Sequence, residues 1–120
     1  MKAKFWLISL VALTVLSLSC SKKSTNPGGG SGFVSTTNIS ILDNSFSPRN
    51  DSVAVGTTIT WTYSVSASNP HTVTSDQVGL FGSGTLSTSG ATFTHTFNAA
   101  GDFGYHCTIH PSMTGTIRVR

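Results

Sequence analysis

From residue 38 onward, a two-residue alternation of apolar and polar side chains organises the chain. Ile39 and Ile41 alternate within 38–42, Val53 and Val55 within 52–56, and Ile59, Trp61 and Tyr63 within 57–63. Phe93 and Phe97 stand in phase within 91–97, Phe103, Tyr105 and Cys107 within 102–107, and Ile117 and Val119 within 114–119. Successive strand residues face opposite sides of a sheet, so each run predicts a strand with one face turned to a core. A further short strand is expected over 71–75. Turn-forming residues separate the runs: Ser47-Pro48-Arg49-Asn50, Asn69-Pro70, the Gly/Ser/Thr-rich stretch 79–90, and Asn98-Ala99-Ala100-Gly101. No segment carries a helical period. Many short strands with such punctuation predict an all-β fold, an antiparallel sandwich or barrel.

The N-terminal segment breaks with this pattern. Lys2 and Lys4 precede an apolar run, 5–18, that is short for a membrane span and has the arrangement of a cleaved export signal. The stretch Leu16-Ser17-Leu18-Ser19-Cys20 resembles the lipobox of bacterial lipoproteins, with Ser17 where that motif prefers leucine. The resemblance implies that 1–19 is a signal peptide and that Cys20, once lipidated, becomes the mature N-terminus. A plain secretory signal cut near the same place is the alternative. Residues 20–32, rich in Ser, Gly and Lys, have almost nothing to bury and read as a flexible tether, which leaves 33–120 as one domain. The expected location is exported, periplasmic or in the cell envelope, with the chain held at a membrane by acyl chains that do not span it.

Charge excludes one class of partner. The formal charge is +3, but four of the seven lysines and arginines are Lys2, Lys4, Lys22 and Lys23. Over 33–120, Arg49, Arg118 and Arg120 face Asp43, Asp51, Asp76 and Asp102, three positive groups against four negative, so the net charge is −1. No basic patch survives, and no nucleic-acid partner is expected. A domain this poor in charge meets its partners through apolar or polar surface, with little electrostatic steering.

The chemistry concentrates near the C-terminus. Cys107-Thr108-Ile109-His110-Pro111-Ser112-Met113 is a Cys-x-x-His-x-x-Met string, and with His71 it supplies one thiolate, two imidazoles and one thioether. Thiolate and thioether sulfurs are soft ligands and imidazole is borderline, so the set suits one copper ion passing between Cu(I) and Cu(II) with a weak axial methionine. With Cys20 lipidated, Cys107 is the only thiol in an oxidising compartment, and metal ligation explains why it stands unpaired. Cys107 ends a predicted strand with its side chain on the core face, and steps of three residues can turn His110 and Met113 round the same point. His71 must arrive from a distant strand. The implied function is one-electron transfer, and a rigid scaffold that limits rearrangement would make it fast.

These residues carry a family resemblance. Asn44-Ser45-Phe46-Ser47-Pro48, Val53-Ala54-Val55-Gly56-Thr57-Thr58-Ile59-Thr60-Trp61, Asn69-Pro70-His71-Thr72-Val73 and the stretch from Gly101 to Gly115 resemble the cupredoxins, especially the plastocyanin and amicyanin branch. The spacing from Cys107 through His110 to Met113 is similar to the short ligand loop of amicyanins. The resemblance implies a Greek-key β-sandwich of about eight strands with type 1 copper at one end, held by His71, Cys107, His110 and Met113. It also implies redox protein partners such as a cytochrome, an oxidase or a dehydrogenase, in a monomer that is not an enzyme. The outer edge of His110 would be the electron port, ringed by Pro70, Ile109, Pro111 and Leu80 or Phe81.

Several neighbours carry expectations of their own. Thr72 stands where the family often has an asparagine that ties the two ligand loops together, and its hydroxyl is expected to do less of that work. Phe46 and Phe103 are expected in the core. His95, in phase with Phe93 and Phe97, reads as a packed, hydrogen-bonded histidine, and His106 as a surface histidine pointing away from Cys107. A periplasmic copper chaperone is the rival reading, weakened by the presence of only one methionine, Met113, beyond the initiator. Catalytic copper would need an open coordination position, and structural zinc seldom takes a thioether.

Overall fold

A computed structural model of the chain describes residues 32–120. Eight strands are found there: β1 (Asn38–Leu42), β2 (Ser45–Ser47), β3 (Asn50–Val53), β4 (Thr57–Tyr63), β5 (Thr74–Ser75), β6 (Thr92–Phe97), β7 (Gly101–His106) and β8 (Thr114–Val119). They form two four-stranded sheets, in the orders β2-β1-β4-β6 and β3-β8-β7-β5. The chain crosses between sheets three times in its first five strands, which gives the all-β Greek-key sandwich expected from the sequence. Among the described residues no helix is long and apolar enough to cross a membrane. The signal segment, the Cys20 lipid site and all but the last residue of the 20–32 tether lie outside the described residues.

The inward faces of the alternating strands make the core. Ile39, Ile41, Ile59, Trp61, Tyr105, Ile117 and Val119 are essentially inaccessible to solvent. Burial of each such side chain contributes on the order of 2 kcal/mol. Trp61 of one sheet meets Tyr105 of the other edge-on, with ring centroids 5.4 Å apart, and Phe46 closes on Tyr105 at 4.8 Å. Gly115, the cross-strand partner of Tyr105, leaves the space that this ring fills. A Cβ at Gly115 would run into the tyrosine ring and stand 2.8 Å from the Arg49 carbonyl oxygen.

Four features depart from the sequence reading. The sheets are not purely antiparallel: β1 runs parallel to β4, and β3 parallel to β8. Such pairs join strands separated by a crossover, and no local pattern reports them. The strand β2 was not expected: only its last residue, Ser47, fell in the turn read over 47–50, and its three residues are too few for an alternation to register. Val55 is exposed at 48% because β3 stops at Val53 and the chain turns through Gly56, whose φ of +87° favours glycine. The expected strand 71–75 shrinks to β5, with His71 held separately by a bridge to Leu86.

One end of the sandwich gathers the residues of interest. In β5, β7 and β8 the cross-strand partners Thr74, His106 and Thr114 share a level, and Cys107 follows immediately. At the same end the tyrosine hydroxyl of Tyr63, the last residue of β4, donates to the Asn69 carbonyl at 3.0 Å and draws the 64–70 loop across.

Candidate metal centre

Three donor atoms converge at that end. Nδ1 of His71 and Nδ1 of His110 each lie 3.8 Å from Sγ of Cys107, and the two nitrogens are 3.2 Å apart. All three therefore fall within the span that one ion can bridge. Cys107 and His71 are fully buried, and His110 is half-buried. The local string and the distant histidine thus meet. Met113 is buried beside them.

The 107–113 segment is shaped by its own backbone. The Cys107 amide donates to the Met113 carbonyl at 2.9 Å, and the Met113 amide donates to the His110 carbonyl at 2.8 Å. These two bonds close the segment into a compact turn between β7 and β8. The buried phase of Tyr105 carries through to Cys107 although β7 ends at His106, so the thiol points inward.

Thr72 clasps the two segments together, and more fully than the sequence suggested. Its amide donates to the Cys107 sulfur at 3.3 Å, and its hydroxyl accepts from the Thr108 amide at 2.8 Å. The same hydroxyl lies 3.0 Å from the Thr108 hydroxyl and 3.1 Å from that of Thr74. A short side chain suffices because the backbones already run close.

A residue that the sequence reading did not single out stands behind His71. Asp43, just past β1, places Oδ1 3.4 Å from His71 Nε2. The Ser68 hydroxyl and amide and the Asn69 amide all donate to this carboxylate, and they hold it far below the usual carboxylate range. Asp43 is separated from His71 by 28 positions, so no motif spacing could have found it.

The remaining expectations divide. Pro70, Ile109 and Pro111 are exposed, Pro70 next to His71 and the other two on either side of His110 in sequence. Phe81 is not among them: it packs on His95 at 4.7 Å and on Trp61 at 5.8 Å, over the β4–β6 face. Leu86 comes to the site instead, because its backbone pairs both ways with His71. Phe46 is in the core, whereas Phe103 is only half-buried against Phe97. His95 packs between Phe81 and Phe97, and burial lowers its basicity. Among the described residues its ring has no hydrogen-bond partner, contrary to expectation, and its recorded contacts are the Phe81 and Phe97 rings. His106 turns outward and pairs with Asp76 at 2.5 Å.

Comparison with known proteins agrees with this geometry. The model of the copper-binding plastocyanin/azurin family matches residues 34–120, and the chain belongs to that family. It is a cupredoxin. A purple cupredoxin from Nitrosopumilus maritimus is 33% identical, with a TM-score of 0.64 over 71% of this chain and 100% of that one. A reduced amicyanin variant is 29% identical, with a TM-score of 0.59 over 71% of this chain and 82% of the other. A copper-containing nitrite reductase from Thermus scotoductus is 28% identical, with a TM-score of 0.60, but the 70% of this chain that aligns spans only 22% of that enzyme. No curated protein matches the sequence. One thiolate and two imidazoles within bridging distance, with a thioether-bearing residue buried alongside, form a donor set suited to copper, which is the cofactor of this family.

Proposed function

We propose that the chain is a small one-electron carrier in which His71, Cys107, His110 and Met113 hold a single type 1 copper ion. The observation that carries this reading is the convergence of His71 Nδ1, Cys107 Sγ and His110 Nδ1 at the end of a sandwich from which none of the three can readily withdraw. Copper supplies the Cu(I)/Cu(II) couple. The protein's part is to keep its donors still. His71 is fully buried and pinned by the Leu86 bridge, Cys107 receives the Thr72 amide, and two backbone bonds close the segment that carries His110 and Met113. Donors held in this way need little reorganisation when an electron arrives, which keeps the barrier to transfer low.

His110 is the donor best placed to couple with a partner. It is half-buried, with exposed Ile109 and Pro111 on either side of it in sequence and exposed Pro70 next to His71. Redox proteins such as a cytochrome, an oxidase or a dehydrogenase would dock there, on a monomer exported to the periplasm or cell envelope and tethered through lipidated Cys20. No enzymatic step is assigned, since the similarity to the nitrite reductase covers less than a quarter of that protein. Hand-over of copper to an acceptor is disfavoured by the burial of His71, Cys107 and Met113, which leaves one donor near solvent. A visible spectrum of the copper-loaded protein tests the reading. Intense absorption of red light from thiolate-to-copper charge transfer is expected and should vanish in Cys107→Ala. Colourless wild-type protein would overturn it.

A further inference from the structure

Asp43 is tied into the fold far more firmly than a turn residue needs to be. Its Oδ1 accepts from the Ser68 amide at 2.9 Å and the Asn69 amide at 3.1 Å, and its Oδ2 from the Ser68 hydroxyl at 2.7 Å. These bonds staple the β1–β2 turn to the loop that leads into His71. The neighbouring Asn44 takes the left-handed conformation, φ +62°, which aspartate and asparagine side chains tolerate better than most. So anchored, Oδ1 faces Nε2 of His71 at 3.4 Å, while the other ring nitrogen, Nδ1, faces Cys107 and His110. The His71 side chain is 0% exposed and that of Asp43 31%. At that distance the contact is long for a hydrogen bond, and the attraction of the carboxylate charge for the N–H supplies most of it.

An imidazole with a carboxylate on one nitrogen keeps its proton there and leaves the lone pair on the other. We propose that Asp43 is a positioning residue of the metal centre: it holds the proton of His71 on Nε2, so that Nδ1 stays free as a donor, and its charge biases the couple toward the more positive oxidation state. The first half concerns the metal-free protein and the second rests on the ligand assignment proposed above. No other described side chain performs this service for His71, and no counterpart of Asp43 faces His110.

The test uses the full chain with Asp43→Ala, Asp43→Asn and Ser68→Ala. In the metal-free wild-type protein, nitrogen NMR of the His71 ring should show the Nε2–H tautomer, with a mixture of tautomers in Asp43→Ala. Copper affinity, measured by competition with a chelator, should fall about 10-fold or more in Asp43→Ala. Asp43→Asn removes the charge and keeps the shape, so its reduction potential should rise. Ser68→Ala weakens the same staple but leaves Oδ1 in place. It should lower stability while leaving the His71 tautomer and the potential as in wild type, which a purely structural role for Asp43 would not predict. The proposal is overturned if wild-type His71 shows mixed tautomers, or if Asp43→Ala binds copper within about twofold of wild type at an unchanged potential. Failure of the wild-type protein to bind copper at all would instead overturn the ligand assignment, and the tautomer measurement would still decide the role of Asp43.

Discussion

The two segments that meet at the metal centre are built in opposite ways. Segment 107–113 is local: its residues are neighbours in sequence, and its own backbone bonds fold it into shape. The segment around His71 is held almost wholly from elsewhere, by Leu86 paired to its backbone, by Asp43 behind its ring and by the sulfur of Cys107 against the Thr72 amide. The outcome differs accordingly. His71 is sealed in and braced, whereas His110 is half-buried, and among the described residues no side chain holds its Nε2. An electron carrier needs both kinds of ligand, one that cannot move and one that a partner can reach.

Removing each histidine in turn is the strongest way to break this comparison. Both His71→Gly and His110→Gly should lose the red absorption when loaded with copper. Free imidazole added to His110→Gly should restore it close to the wild-type intensity, since that position opens to solvent. The same addition to His71→Gly should restore nothing, because a fully buried site admits no ligand from outside. Equal rescue of the two, read by visible titration, would erase the proposed asymmetry.

The clasp between the segments offers a smaller effect. Thr72→Val keeps the shape of this buried side chain but deprives the Thr108 amide of its acceptor. The cost should be about 1–3 kcal/mol of stability in the metal-free protein, read by denaturant unfolding. Hydrogen exchange at Thr108 should accelerate, while exchange in β4 and β6 stays as it was.

The smallest effect concerns Asp51 of β3, which is not among the residues that converge at the metal centre. Asp51 is buried with Oδ2 unpartnered, and desolvation raises its pKa above the ordinary value despite amide donors from Thr36 and Ser52. A raised carboxyl favours the folded state fully below its unfolded value, and that contribution is lost as pH rises through the folded one. Asp102 behaves oppositely, because the Arg118 guanidinium lowers it, so its contribution is present above the unfolded value and fades in acid. Asp51→Asn should therefore flatten the loss of stability that sets in as pH rises above the ordinary carboxylate range, without altering the visible spectrum. A change of colour in this variant would mean that this buried carboxyl is coupled to the metal centre.

Much of the fold was legible because alternation is a local property. Ile39, Ile41, Ile59, Trp61, Tyr63, Tyr105, Ile117 and Val119 were read as inward-facing and are buried. The same rule misled at Val55, where the strand ends two residues early, and it had no purchase on β2, which is too short to alternate. The family resemblance implied Leu80 or Phe81 at the rim around His110, and Phe81 does not take that place. It packs against Trp61 and His95 because those rings offer it more apolar surface than the loops do.

By itself the sequence determined the donor chemistry and the strand pattern, since residue type and spacing suffice for both. It located Cys107, His110 and Met113 on one turn and named His71 as the donor that a distant strand must bring. Only the tertiary structure decided which strands pair in parallel, that Leu86 pairs with His71 while Phe81 packs on Trp61 and His95, that Thr72 clasps the two segments, and that Asp43 stands behind the buried ring. Each of these depends on residues brought together across 28 positions or more, or on backbones whose closeness no side-chain pattern records.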